Sequence, residues 1–296
     1  MFEVREVLLD TLLLPMVVAP ACFEKLAARA VVAYLFRPGG KVRASRLAKV
    51  PPELSARTGL SPSAFALRCE VETVRERIRV LRGIVFPWWR RRLRISGYTS
   101  VRAGLAHGRG VILWTHACAE SHIAVKQAMF QAGQPLAHLS RPGHPFSNFP
   151  FSVRFIDPLL RRPEVRFLSE RVVIDSEHVV TPLRRLRRLL AENRAVSITV
   201  THLASTIYAY PFLGGTLKLP AGPIELSAAT GAQLLPVFTW GEDGRTCVEF
   251  GAPVPISGSG PDAVREAHQW AIAWLKERVV AHPEAWIAWR GRQFAV

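Results

Sequence analysis

Short apolar runs and longer amphipathic stretches alternate along most of this chain. Most of the apolar runs contain β-branched residues, and they are bounded mainly by glycine or polar residues, which predicts buried strands at 111–114, 134–139, 195–201 and 234–239. After Pro182, leucines recur at helical spacing while arginines occupy the other side, which predicts an amphipathic helix. Strands that alternate with helices are typical of an α/β fold with a central, mostly parallel sheet flanked by helices.

The N-terminal residues do not follow this alternation. Residues 7–23 are largely apolar, but Asp10, Pro15 and Pro20 interrupt them, and a membrane-spanning helix needs about 20 predominantly apolar residues. We therefore predict an N-terminal apolar helical segment that does not span a membrane. This segment lies at a membrane interface or along a substrate channel, or it forms a buried helix pair.

A domain boundary is predicted after this N-terminal segment. Residues 47–60 contain two adjacent prolines and a glycine, which is typical of a linker or loop. Ser61 and Pro62 then resemble a helix N-cap followed by a first-turn proline. We expect the N-terminal segment and its linker to cover 1–60, and one α/β domain to cover 61–296.

The chain is strongly basic, because 39 lysines and arginines stand against 23 aspartates and glutamates and give a formal net charge of +16. Such a charge attracts an anionic membrane surface, phosphorylated or carrier-bound substrates, or nucleic acid. Residues 87–94, PWWRRRLR, suit a lipid headgroup interface, or a solvated helix face with one tryptophan in the core. No glycine-rich phosphate loop, zinc pattern or RNA-binding motif accompanies them, so nucleic acid is not the expected partner.

The four cysteines are far apart and form no C-x-x-C pair; they are Cys22, Cys69, Cys118 and Cys247. The histidines also lack the spacing of zinc ligands, so we expect no metal site. Dispersed cysteines without a disulfide framework are typical of proteins in the reducing cytosol.

The residues that follow the first predicted strand carry candidate chemistry. His116 stands at the carboxyl end of this strand, where ligands bind in open α/β sheets, and Glu120 follows it in the next turn. A histidine in this position is either a partly buried residue with a satisfied hydrogen bond or a proton acceptor steered by the nearby carboxylate. The strand end and the acid together favour the functional interpretation.

Two further segments are candidates for substrate binding. Arg141 comes at the end of the second predicted strand and just before a proline, where its guanidinium can hold an anion or a polarised carbonyl. Gly214, Gly215 and Gly222 permit a ligand or a backbone segment to approach closely. The helix that begins after Gly222 also presents free amides to an anion.

Four segments together carry a family resemblance; they lie at 115–121, 139–142, 210–238 and 282–294. Their residues and order resemble the bacterial lipid A lauroyl/myristoyl acyltransferase family, within the wider lysophospholipid acyltransferase superfamily. THACAES resembles the catalytic histidine block of that family, and LSRP resembles its arginine–proline segment. The third segment resembles its phenylalanine–glycine turn and proline–glycine helix start, and HPEAWIAWRGRQF resembles its closing segment. The resemblance covers about residues 80–294.

Two positions depart from the pattern of that family. The family places an acid five residues after the histidine, where this chain has Ser121 and Glu120 comes one place early. The family also commonly has an aspartate where this chain has His202. Glu120 therefore reaches the ring from a tighter turn, or another acid replaces it, or the standard chemistry has been lost. The possible substitutes are Glu170, Asp175 and Glu225.

The resemblance implies an acyltransferase that moves a fatty acyl group from acyl-CoA or acyl carrier protein to a hydroxyl or amine of a lipid-like acceptor. It implies that His116 is the general base, that Glu120 orients it and that Arg141 binds a phosphate. It also implies an acceptor pocket shaped by four residues, which are Phe212, Gly214, Gly215 and Gly222. No metal is implied, and no cofactor beyond the acyl donor.

Other interpretations stay open at this level. The same scaffold serves equally for acylation of a soluble small molecule in secondary metabolism, or for hydrolysis of the thioester. A catalytically silent lipid-binding or membrane-tethering protein is the alternative outside enzymes. Cys118 is also a candidate nucleophile for a ping-pong reaction, although small buried thiols are more often inert. The expected location is the cytoplasm, peripheral at the inner face of the cytoplasmic membrane, with an anionic lipid surface as a partner.

Overall fold

The computed structural model describes residues 13–18, 23–35, 47, 49–140, 154, 157–174, 179–200, 204–291 and 293–296. Its strands are β1 (Leu93–Ser96), β2 (Val111–Thr115), β3 (Leu136–Ser140), β4 (Leu168–Val173), β5 (Ala195–Thr199), β6 (Ile207–Phe212), β7 (Gly215–Pro220), β8 (Gln233–Glu242), β9 (Arg245–Phe250) and β10 (Phe294–Ala295). Its α-helices are α1 (Glu24–Leu35), α2 (Pro52–Thr58), α3 (Pro62–Val85), α4 (Tyr98–Ala106), α5 (Ser121–Gln131), α6 (Asp157–Val165), α7 (Val180–Ala191), α8 (Gly222–Thr230) and α9 (Pro261–Ala281).

The main sheet has seven strands in the order β1-β9-β8-β2-β5-β3-β4. All neighbours are parallel except β8 and β9, which form an antiparallel hairpin. Every residue of β2 is buried, because a central strand with helices on both faces has no side exposed to water. The prediction of an α/β fold with a mostly parallel sheet flanked by helices is confirmed.

A second, smaller sheet was not predicted. It is antiparallel and has the order β10-β7-β6. The hairpin between β6 and β7 turns on Leu213 and Gly214, which both have positive φ angles, of 47° and 79°. Two consecutive positive φ angles are typical of the tight turn that matches the twist of the two strands.

Residues 52–58 form α2, where the sequence analysis predicted a linker or loop. Pro52 occupies the first turn of this helix, and Gly59 ends it with a φ of 64°. The proline and the glycine therefore act as start and stop signals of a short helix rather than as marks of a loop. The side chain of Leu54 is fully buried in the same core cluster as Phe65 and Trp289.

The helix predicted from Ser61 and Pro62 is confirmed as α3. The side-chain oxygen of Ser61 accepts a hydrogen bond from the amide of Ala64 at 3.3 Å, as an N-cap residue does. Of the predicted N-terminal apolar segment, residues 1–12, 19–22 and 36–46 lie outside the described residues. Residues 13–17 are helical, and α1 packs on α3. No helix among the described residues is long and apolar enough to cross a membrane.

Candidate functional site

His116 lies directly after β2, at the carboxyl edge of the sheet. Its amide donates a hydrogen bond, at 3.1 Å, to the carbonyl of Val237 in the neighbouring strand β8. The imidazole ring lies between two indoles, with centroids 5.7 Å from Trp114 and 6.1 Å from Trp274, the latter stacked at 28°. Only 2% of the residue is exposed. The sequence analysis therefore placed His116 correctly at a strand end, in an aromatic and nearly dry environment.

No charged group among the described residues acts on this ring. Nε2 of His116 is buried and has no hydrogen-bond partner among the described residues. Burial lowers the pKa of His116 from its ordinary value near 6.5 to about 3, and no carboxylate opposes this shift. The ring is thus neutral at physiological pH. A buried ring nitrogen without a partner costs about 1–3 kcal/mol, so its presence calls for an explanation.

Glu120 does not pair with His116, contrary to the expected hydrogen bond. It is 3% exposed, and its Oε1 accepts a hydrogen bond from Nη1 of Arg79 at 2.5 Å. Oε1 also lies against Gly241, where an added Cβ would stand 2.7 Å from it. A full positive charge attracts a carboxylate more strongly than a neutral imidazole does. Arg79, 41 residues away in the sequence, therefore holds the acid on the α3 side of the loop.

Arg79 is the centre of a buried ion cluster that sequence reasoning missed. Its Nε donates to Oε2 of Glu24 in α1 at 3.2 Å, and Arg82 contacts the other oxygen of Glu24 at the same distance. Burial lowers the pKa of Arg79, but the carboxylates of Glu120, Glu24 and Glu76 raise it by more. The net pKa is therefore above its ordinary value, and the guanidinium stays charged. The available signal was a run of acids and bases every three or four residues along α3, a pattern that usually marks a solvated face.

Three of the segments that carried the family resemblance meet beside His116. Cys118 forms an antiparallel bridge with Trp286, and the amide of Ala119 donates to the carbonyl of Ala285 at 2.8 Å. Phe212 packs edge-on against Trp286, with ring centroids 5.2 Å apart. The loop after β2, the hairpin at 207–220 and the C-terminal segment therefore form one contiguous region.

The predicted glycines are used for contacts within the protein. A Cβ on Gly214 would lie 3.2 Å from the amide nitrogen of Glu53, and one on Gly215 would lie 2.4 Å from the ring of Phe294. Gly222 is the first residue of α8, and nothing lies within 4 Å of a Cβ there. The sequence predicted that either a ligand or another segment of the chain approaches these glycines. At Gly214 and Gly215 it is another segment of the chain, whereas Gly222 faces open space.

Of the substitute acids, Glu170 and Glu225 do not orient His116 either. Glu170 accepts two hydrogen bonds from the guanidinium of Arg185 in a bidentate ion pair, at 2.8 and 2.6 Å. Glu225 is exposed in the first turn of α8. Hydrogen bonding from Arg185 lowers the pKa of Glu170. The remaining candidates, Arg141, Asp175 and His202, lie outside the described residues.

Cys118 is buried and stays a thiol. Burial raises its pKa to about 12. Because the thiolate is the nucleophilic form, this cysteine is unreactive near neutral pH. Within the described part of the chain, no group of three histidine, cysteine or acidic side chains could hold a metal ion.

A cleft of about 850 Å³ lies between α1, α3 and the turn that joins β8 to β9. Its charged lining includes Lys25, Arg29, Arg68 and Glu72. Gly241 lies in its wall and separates it from Glu120, and His116 is not among the lining residues. The cleft therefore adjoins the ion cluster rather than the imidazole.

No protein-family model matches this chain, and no curated protein matches it.

Proposed function

We propose that this protein is an acyltransferase in which His116 is the general base. The observation that carries the proposal is the neutral imidazole with a free Nε2 at the carboxyl end of β2. A buried acceptor nitrogen without a partner is ready to take a hydrogen bond from a hydroxyl or amine of the acceptor. The convergence of the loop after β2 with the hairpin at 207–220 and the C-terminal segment adds support.

The reaction follows from the position of that nitrogen. As the acceptor oxygen or nitrogen attacks the thioester carbonyl carbon, its proton passes to Nε2 and a tetrahedral oxyanion forms. The carbon–sulfur bond then breaks, and the departing thiolate takes the proton back from the imidazolium. Because burial disfavours the charged ring, the imidazolium is a strong acid and returns this proton readily. The rings of Trp114 and Trp274 keep water from competing with the acceptor.

The proposed donor is acyl-CoA or acyl carrier protein, and the proposed acceptor is lipid-like. A net charge of +16 favours a donor with phosphates or an acidic carrier. The same charge favours a peripheral position at the anionic inner face of the cytoplasmic membrane. Arg141, which directly follows β3 in the sequence, is proposed to bind a phosphate.

The experiment is a turnover assay with labelled acyl-CoA, with and without candidate acceptors. We expect His116→Ala to lose at least about a hundredfold in rate, as is typical when a general base is removed. The matched control is His107→Ala, because His107 is exposed and lies in the same half of the chain. Equal rates in the two variants would exclude His116 as the base. Release of free acid without an acceptor would indicate thioester hydrolysis instead.

The second candidate is a catalytically silent lipid-binding protein. It is favoured by one observation, that no described carboxylate orients His116. Under this proposal the wild-type protein binds acyl chains or vesicles but turns over no thioester with any acceptor, including a soluble one. Measurable turnover that depends on His116 contradicts it.

A further inference from the structure

Helix α1 carries apolar side chains on two opposite sides. Ala28 and Val32 are buried against α3. On the other side, Phe23, Leu26 and Tyr34 follow one another at helical spacing, and Leu26 and Tyr34 are 63% and 68% exposed. A helix that only packs on a core has a polar outer side, so this apolar outer side indicates a further contact.

Exposed apolar residues also lie on the neighbouring segments. Val18 is 71% exposed, and Trp88 is 75% exposed just after the end of α3. The two segments touch, because Nε of Arg82 donates to the carbonyl of Val17 at 3.0 Å. An exposed tryptophan is typical of proteins that reach the polar boundary of a bilayer.

One edge of the outer side of α1 is basic. Lys25 and Arg29 are exposed, one helical turn apart, and form no ion pair with the described residues. Arg68 of α3 lies on the same cleft, and its contact with Glu284, at 3.7 Å, is a loose one. This arrangement matches an anionic membrane surface. The apolar side chains would contact the acyl chains, and the neighbouring cations would contact the phosphates above them.

We propose that the outer side of α1, made of Phe23, Leu26, Tyr34, Lys25 and Arg29, docks on an anionic lipid bilayer. This inference deepens the proposed function, because it names the surface that would bring the protein to a lipid-like acceptor. Helix α7 provides the contrast. It carries four arginines, and although Val180 and Leu183 are exposed, its other leucines, at 186, 189 and 190, are fully buried.

The first test compares two pairs of cations in sedimentation with vesicles of phosphatidylcholine, with or without phosphatidylglycerol. We expect the double variant Lys25→Gln/Arg29→Gln to bind the anionic vesicles about thirtyfold more weakly, because each cation near the surface contributes about 1 kcal/mol. The control, Arg184→Gln/Arg187→Gln, removes the same charge from exposed positions on α7 and should change binding less than about twofold. Equal losses in both double variants would show general charge attraction and overturn the proposal.

The second test concerns the apolar side chains. Leu26→Ser/Tyr34→Ser should lose at least about a hundredfold in binding to anionic vesicles, because the burial of each side chain contributes about 1.5–3 kcal/mol. Val180→Ser/Leu183→Ser removes exposed apolar side chains from α7 and serves as the control. If the α1 variant instead dissociates a dimer in solution and binds vesicles normally, the surface belongs to a second copy of the chain.

Vesicle binding is independent of the chemistry at His116. His116→Ala should bind anionic vesicles as the wild-type protein does. If the wild-type protein has no transferase activity but α1 still directs vesicle binding, the proposed function fails and the docking surface stands. If turnover depends on His116 but wild-type protein does not bind anionic vesicles, the docking surface fails alone.

Discussion

His116 and Glu120 lie four residues apart on one loop, yet their surroundings are opposite. The imidazole lies beside Trp114 and Trp274, and burial alone, with no charge from the described residues, shifts its pKa. The carboxylate joins the ion cluster of Arg79 and Glu24, which ties α3 and α1 to the loop. Sequence proximity suggested one functional pair, but the structure uses the two side chains separately. The loop has a neutral imidazole on one side and an ion-paired carboxylate on the other.

The difference shows what each environment contributes. A buried ion pair with both partners present adds little to the net stability. Removal of one partner leaves the other charge buried and unpaired, which destabilises the fold. The aromatic environment of His116 instead keeps one proton acceptor neutral.

The largest effect is expected for Arg79→Met. It leaves the carboxylates of Glu24 and Glu120 buried without their shared cation, so the free energy of unfolding should fall by about 3–5 kcal/mol. Urea denaturation measures the loss. The control is Arg68→Met on the same helix, because the Arg68 side chain is 59% exposed, lies 3.7 Å from Glu284 and should contribute less than about 1 kcal/mol. Equal losses in the two variants would contradict a central role for Arg79.

A smaller loss is expected for Glu120→Gln. The amide still accepts a hydrogen bond from Arg79 but no longer neutralises it, so the free energy of unfolding should fall by about 1–3 kcal/mol. The control is Glu225→Gln, because Glu225 is exposed and its side chain forms no hydrogen bond or ion pair with the described residues. An unchanged stability in Glu120→Gln would show that the carboxylate is not held as described.

The pH dependence of stability should report the environment of His116. Its pKa is lowered to about 3 in the folded protein, so the stabilising contribution of the neutral ring is complete above its ordinary pKa of 6.5 and is lost as the pH falls toward 3. The difference in unfolding free energy between wild type and His116→Phe should therefore change by about 1.4 kcal/mol per pH unit between these limits. Parallel pH profiles of the two proteins would mean that the ring is already solvated or protonated.

The smallest effect is expected for Cys118→Ala. The thiol has its pKa raised to about 12 by burial, and it makes no step of the proposed reaction. Turnover should stay within about twofold of wild type, and the native protein should react with thiol reagents at Cys118 only after denaturation. Rapid labelling of native Cys118, or loss of turnover in the variant, would restore the ping-pong alternative.

Local patterns predicted much of the main sheet. β2 and β5 appear as short apolar runs because both strands are buried on two faces, and Ser61 with Pro62 defines the start of α3 by local capping. The small sheet was not predicted, because its edge strand β10 comes from a distant part of the chain: Phe294 pairs with Leu217, 77 positions earlier. No local pattern reports such a pairing. The positive φ of Leu213 is equally invisible, because leucine rarely adopts that conformation.

The candidate site was less predictable than the fold. The position of His116 follows from the end of a strand, which sequence periodicity reveals. The partner of Glu120 does not follow, because Arg79 reaches it only through the packing of α3 over the loop. The single-residue shift from the family spacing was a usable sign that this acid has another role.

We propose that His116 carries the chemistry of this loop without Glu120, and that Glu120 stabilises the loop through Arg79. The most direct test is the acyl-transfer rate of His116→Gln and Glu120→Gln, each divided by its folded fraction. The expected result is a loss of at least about a hundredfold for His116→Gln, and a rate within about threefold of wild type for Glu120→Gln. A comparable loss in both variants, after this correction, would mean that the two side chains act as one catalytic pair and would contradict the claim.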